Sequence, residues 1–152
     1  MGKPHKRETL DTYLPGWLNG LDASNYSITV LVERVARHRG RPIELTAIPM
    51  PGELLGAWIA DPNADHILFE HDAPKVQQGD IILRQLARML LGLPTLTVDD
   101  TAPLLASPKV LAFAVVQQQR LYTANLEDEQ RVAALVDTLR VRAELVQRIG
   151  LA

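Results

Sequence analysis

Residues Asp80 to Leu91 constrain this chain more than any other stretch. Ile82, Leu83, Leu86, Met89 and Leu90 recur at helical spacing and form one broad apolar face, flanked by Ile81 and Leu91. Arg84, Gln85 and Arg88 cluster on the opposite side, and Gly92 and Pro94 end the element. A helix so widely apolar is a central one, and other elements must cover it.

The flanking sequence supplies the cover. Ser27 to His38 carries Ile28, Leu31, Val32 and Val35 at helical spacing, with Gly40 suited to the position after the helix and Pro42 unable to extend it. Three strands should follow at Ile43 to Ile48, Leu54 to Ala60 and His66 to Glu70. Pro49-Met50-Pro51-Gly52 and Asp61-Pro62-Asn63-Ala64 between them are turn compositions, which makes adjacent antiparallel strands the expected pairing. Val110 to Gln119 reads as a helix, with strand an alternative for its first half. Glu127 to Ile149 reads as a long helix. Asn125 is a good N-cap, and Glu127, Asp128 and Glu129 suit the positive end of the helix dipole. Residues 1–26 contain Pro4, Pro15, Gly16 and Gly20, and form an extension to a single domain at 27–152. Leu10, Tyr13, Leu14, Trp17, Leu18 and Leu21 could still make a short amphipathic piece that caps the core. The predicted class is α+β: a small three-stranded, mostly antiparallel sheet against the central helix and the long C-terminal helix.

Composition excludes several functions. The chain has no cysteine, so disulfides, thiolate zinc sites and cysteine nucleophiles are out. A net charge of −2 gives no bulk drive toward nucleic acid, and direct binding to it is not expected. There is no signal-like N-terminus and no membrane-length apolar run, so a cytoplasmic protein without membrane contact is expected. No nucleophile elbow, phosphate loop or dinucleotide fingerprint is present. Asp99-Asp100 reads as a solvated loop. The four histidines, His5, His38, His66 and His71, read as surface or strand-end groups, because His66 and His71 fall on opposite faces of a strand.

Five motifs in order resemble a known family. Arg39-Gly40-Arg41-Pro42-Ile43-Glu44-Leu45 is similar to R-G-R-P-I-x-L, and Gly56-Ala57-Trp58-Ile59-Ala60 to G-x-W-V/I-A. Asp65-His66-Ile67-Leu68-Phe69-Glu70 resembles D-Y/H-I-x-Y/F-E, and Ile81-Ile82-Leu83-Arg84-Gln85-Leu86-Ala87-Arg88 resembles I-I-L-H-E-x-x-H. Arg120-Leu121-Tyr122 followed by Glu127-Asp128-Glu129-Gln130-Arg131 resembles R-x-x-Y and then E-x-E-R-E-A-E. Together, over about Ser27 to Thr138, they resemble the actinobacterial branch of the ImmA/IrrE family. The resemblance implies a zincin-like fold, and active relatives that are zinc peptidases cleaving helix-turn-helix repressors.

The chemistry of that family is missing. In H-E-x-x-H the two histidines bind zinc and the glutamate is the general base. Arg84 and Arg88 offer donors and no lone pair, so they cannot ligate zinc, and the Gln85 amide cannot serve as a base. Gln77 and Gln78 stand where this branch often has a histidine before the helix. The family's third ligand is an acid on the later helix, and the alignment puts Val132 and Ala134 at its two later glutamates. On that alignment no catalytic residue, metal or cofactor is expected, and rebuilding the motif at 84, 85 and 88 should not restore activity.

The two arginines, four residues apart, leave three readings. They pair with Glu70, Asp80 or the acidic start of the last helix in a collapsed cleft. Alternatively they line a pocket for an anionic ligand. Or they lie in a protein interface. The remnant-cleft candidates are therefore Arg84, Gln85, Arg88, Glu70 and Glu129. The expected function is a non-catalytic pseudo-metallopeptidase acting as a binding or regulatory component, with a helix-turn-helix regulator or another protein as partner. The alternative is an enzyme of reworked chemistry, in which the arginines hold an anionic substrate and Glu70 or Glu53 does acid/base work.

Overall fold

The computed structural model describes residues 28–123 and 125–150, with the side chains of the last helix described as far as Arg140. The extension 1–26, with its apolar piece and His5, lies outside the described residues. The element order is α1 (Ile28–Arg39), β1 (Ile43–Ile48), β2 (Gly56–Ala60), β3 (Asp65–Glu70), α2 (Lys75–Leu90), β4 (Leu96–Thr97), α3 (Ala102–Ala106), α4 (Pro108–Thr123) and α5 (Leu126–Gly150).

The protein is α+β, but its sheet departs from expectation. Among the described residues it has four strands in the order β1-β3-β2-β4, not three. Only β2 and β3 are antiparallel; β1 pairs parallel with β3, and β4 parallel with β2. The turn at Asp61 to Ala64 does join neighbouring strands, because the Asp61 carboxylate accepts the N–H groups of Asn63 and Ala64, both at 2.8 Å. The Pro49–Gly52 stretch does not. It carries the chain past the end of β3, where Glu70 Oε1 accepts the Met50 N–H at 2.9 Å, and so delivers β2 to the far side of β3. A turn composition shows where a strand stops and says nothing of which neighbour the next strand finds.

The sheet has helices on both faces. Trp58, Ile67 and Phe69 point into one core with Leu31, Val32 and Val35 of α1, most of α2, and Val132, Leu135, Val136 and Leu139 of α5. Ala57, Ile59 and Leu68 point the other way, against Leu104 of α3 and Leu111, Ala114 and Val115 of α4. Strand alternation assigns those faces. The second cover explains why His66 is buried at 5% exposure and not a surface or strand-end group.

Helix α2 starts five residues before the expected Asp80, after Pro74. It ends as expected at a left-handed Gly92 (φ 67°), with Leu93 N–H on Arg88 C=O at 3.1 Å. Helix α5 is capped as read, with Asn125 Oδ1 accepting the Asp128 N–H at 3.2 Å. Among the described residues no helix is long and apolar enough to cross a membrane.

Candidate functional site

Arg84, Gln85 and Arg88 share the side of α2 opposite its apolar face, as their spacing implies, but that side is largely covered. Gln85 is 3% exposed and Arg88 4%, and between Ile81 and Met89 only Arg84 is exposed. The end of α4 and the start of α5 close over that side of α2. A cleft of about 560 Å³ remains there. Arg84, Gln85, Arg88 and Asp80 of α2, Tyr122 of α4, Glu129 and Arg140 of α5, and Glu53 to Gly56 leading into β2 are among the residues that line it.

Arg88 is held on two sides. Its Nη2 lies 2.8 Å and 2.9 Å from the two oxygens of Glu129. Its guanidinium carbon stands 3.6 Å from the centroid of the Tyr122 ring, a close cation–π contact. Arg88 Nε is buried with no hydrogen-bond partner among the described residues. The acidic start of the last helix is thus the partner of Arg88, as the collapsed-cleft reading supposed. Asp80 pairs instead with Arg140, at 3.2 Å. Arg84 makes no ion pair or hydrogen bond among the described residues.

Tyr122 organises the floor. Its hydroxyl accepts the Trp58 N–H at 2.8 Å and donates to Gln85 Oε1 at 2.6 Å. Burial pushes the phenol up to about 12, so it remains a donor at any working pH. With Oε1 engaged, the Gln85 amide is fixed and its Nε2 has no partner among the described residues. Strand β2 approaches very closely here: a Cβ on Gly56 would lie 2.4 Å from Ile81 Cγ2 and 3.5 Å from Gln85 Nε2. Only a glycine fits at that position without displacing Ile81.

The wall at Gly56 is an open strand edge. Leu55 C=O accepts the Glu70 N–H at 2.9 Å, so in the antiparallel ladder Leu55 and Ala57 bond toward β3 while Gly56 and Trp58 point away from it. Trp58 is served by Tyr122 and by the Thr95 hydroxyl, which donates to its C=O at 2.6 Å. Strand β4 reaches only Ile59 and Ala60. The N–H and C=O of Gly56 therefore have no partner among the described residues.

Glu70 is not among the lining residues. Its oxygens accept the N–H groups of Met50 and Asp72, each at 2.9 Å, and contact His71 Nδ1 at 2.8 Å. Those bonds, led by the Asp72 N–H, hold its carboxyl down at about 2, which makes it a poor base at neutral pH. Its work is to hold a loop. Glu70, His71 and Asp72 could together offer three ligand atoms to a cation, but His71 and Asp72 are exposed and the Glu70 oxygens are already engaged.

Two polar clusters escaped sequence reasoning. Asp65 is fully buried. It receives Arg39 Nε at 2.8 Å and Trp58 Nε1 at 3.1 Å, and Arg41 Nε stands 3.4 Å away. Arg39 also lies over the Trp58 ring, 5.2 Å from its centroid. On the opposite face His66 Nε2 meets Asp61 Oδ2 at 2.8 Å, and Thr101 Oγ1 donates to the same oxygen at 3.1 Å. Part of the signal was in the motifs: R-G-R, the tryptophan and the D-H pair supply the first cluster and His66 of the second, whereas Asp61 and Thr101 lie in no motif.

The low carboxyl pKa values give a pH dependence. The Asn63 N–H above all holds Asp61 at about 2, against an ordinary 3.8, and Glu70 sits at about 2 against 4.5. A group whose folded pKa is depressed adds stability above its unfolded pKa and loses it as pH falls through the folded one. The urea midpoint should thus be level above about pH 5 and fall steadily toward pH 2. Asp61→Asn should flatten part of that fall; an unchanged profile in the variant would show that Asp61 carries none of it.

No protein-family model, curated protein or solved structure matches this chain.

Proposed function

We propose that this chain is a non-catalytic relative of the ImmA/IrrE metallopeptidases that binds an extended polypeptide in its cleft. The observation that carries the reading is the placement of Arg84, Gln85 and Arg88 on the floor of a cleft, beside a strand edge whose Gly56 peptide groups are unclaimed. A peptide laid along such an edge gains main-chain hydrogen bonds irrespective of its sequence. The floor cannot hydrolyse it through zinc. Its cations repel a metal, and the Gln85 amide neither titrates nor is free to turn. The residues present do not fit a zinc ion. A helix-turn-helix regulator is the partner that the resemblance suggests, held and not cut.

One sequence expectation changes in this light. The third ligand position was read as lost at Val132 and Ala134, and Val132 is indeed a fully buried core residue. Yet Glu129 places a carboxylate against position 88. An imidazole plus a metal ion spans about the length that the Arg88 guanidinium fills. Arg84→His, Gln85→Glu and Arg88→His made together should therefore create a zinc site that uses Glu129. Isothermal titration should show about one zinc bound per triple variant and none by the parent chain. Adding Glu129→Gln should abolish the gain. A triple variant that folds and takes up no zinc would remove the metallopeptidase scaffold from this reading.

A further inference from the structure

We infer that the cleft selects an extended peptide presenting one carboxylate, which docks between the Arg84 guanidinium and the Gln85 amide N–H while the peptide backbone pairs with Gly56. This rests on the peptide-binding reading above and adds the chemistry of the ligand.

The charges along the lining decide it. Arg88 is neutralised by Glu129 at 2.8 Å, and Arg140 by Asp80 at 3.2 Å. The remaining charged groups are one cation, Arg84, and one anion, Glu53; both are exposed and neither has a partner among the described residues. A guanidinium presents a planar fork of donors that matches a carboxylate, and the pairing is charge-assisted. The next residue adds a directed donor. Tyr122 accepts from the Trp58 N–H and donates to Gln85 Oε1, so Nε2 is the end left for a ligand. Gly56 brings the strand edge to the same place, since a Cβ there would lie 3.5 Å from Gln85 Nε2. A peptide pairing with Gly56 passes over Gln85.

Glu53 limits the charge of that peptide. It lies in the turn before β2, where the Leu54 N–H bonds the Pro51 C=O at 3.4 Å, lines the same cleft, and repels a second acid. A run of acidic residues, or a nucleic-acid backbone, is thereby disfavoured. The single carboxylate has two possible sources, an Asp or Glu side chain within the peptide or the carboxylate of a chain's C-terminus.

The test is a random octapeptide library screened against the immobilised full-length chain in two formats, with a C-terminal acid and with a C-terminal amide. Enrichment of Asp or Glu at one position in the amide format identifies a side-chain carboxylate. Enrichment confined to the acid format identifies a chain terminus. For the best peptide, fluorescence anisotropy should give at least a tenfold higher Kd with Arg84→Gln, about 1.4 kcal/mol. Replacing the peptide's carboxylate by an amide should cost the same, and the two losses should not add. Arg84 is exposed, so the variant should melt with the parent. Glu53→Gln should relax the rejection of a second acid. Selected peptides that lack a carboxylate, or that bind Arg84→Gln equally well, would overturn the inference and leave peptide binding intact. A library yielding no binder in either format would overturn both.

Discussion

Leu86→Asp will be recovered as aggregate or as an unfolded chain. Leu86 is fully buried at the centre of α2, within the cluster that joins α1, the sheet and α5. Removing its side chain alone, as in Leu86→Ala, should cost about 2–5 kcal/mol. Placing an unpaired carboxylate there adds several kcal/mol more, roughly the whole margin by which a domain of this size is folded. Far-ultraviolet circular dichroism and size-exclusion chromatography report the outcome directly. A soluble variant with the parent's melting temperature would mean that α2 presents a different face to the core.

Asp65→Ala is the second large loss, of about 3 kcal/mol. The aspartate side chain is fully buried, whereas Arg39 and Arg41 keep 25% and 29% of theirs exposed and can turn to water when it goes. That escape keeps the loss below what two trapped charges would cost. Trp58 Nε1 has no such escape at 2% exposure and would be left without its acceptor. Asp65→Asn keeps an oxygen for the indole and removes the charge, so it should lose clearly less than the alanine variant. Chemical denaturation of the two variants separates the indole's bond from the ion pairs; equal losses would assign the whole effect to charge.

The sequence was most informative where a local rule acts alone. Helix α2 announces itself by spacing, its Gly92 stop by the left-handed backbone it requires, and Asn125 by the N–H it can accept. It was least informative where two distant segments decide jointly. Nothing local distinguishes a β1–β2 hairpin from a loop that Glu70 draws past the end of β3. A two-residue strand such as β4 lacks any period to detect. Its position depends on Gln118, fully buried on α4, whose Nε2 donates to Thr95 Oγ1 at 2.9 Å. For Arg88 the sequence left three readings, one of them a pairing with the acidic start of the last helix. The choice among them rests on Tyr122 and Glu129, 34 and 41 positions later, which bury the arginine. Within the cleft, the residue types at 84, 85 and 88 could be read for what they cannot do. That Glu129 joins them and Glu70 does not required the fold.

The bracing of Arg88 also constrains how this chain can change. Any mutational path that places a metal ligand at position 88 must give up this arginine, and with it both the Glu129 pair and the contact with the Tyr122 ring. The loss comes with the first step, because a single imidazole holds no ion firmly, whereas the gain waits for further replacements. Arg84, by contrast, has no partner among the described residues, so replacing it disturbs no contact within the fold. The two positions are therefore held by different things: position 88 by packing within the chain, position 84 by what the cleft binds.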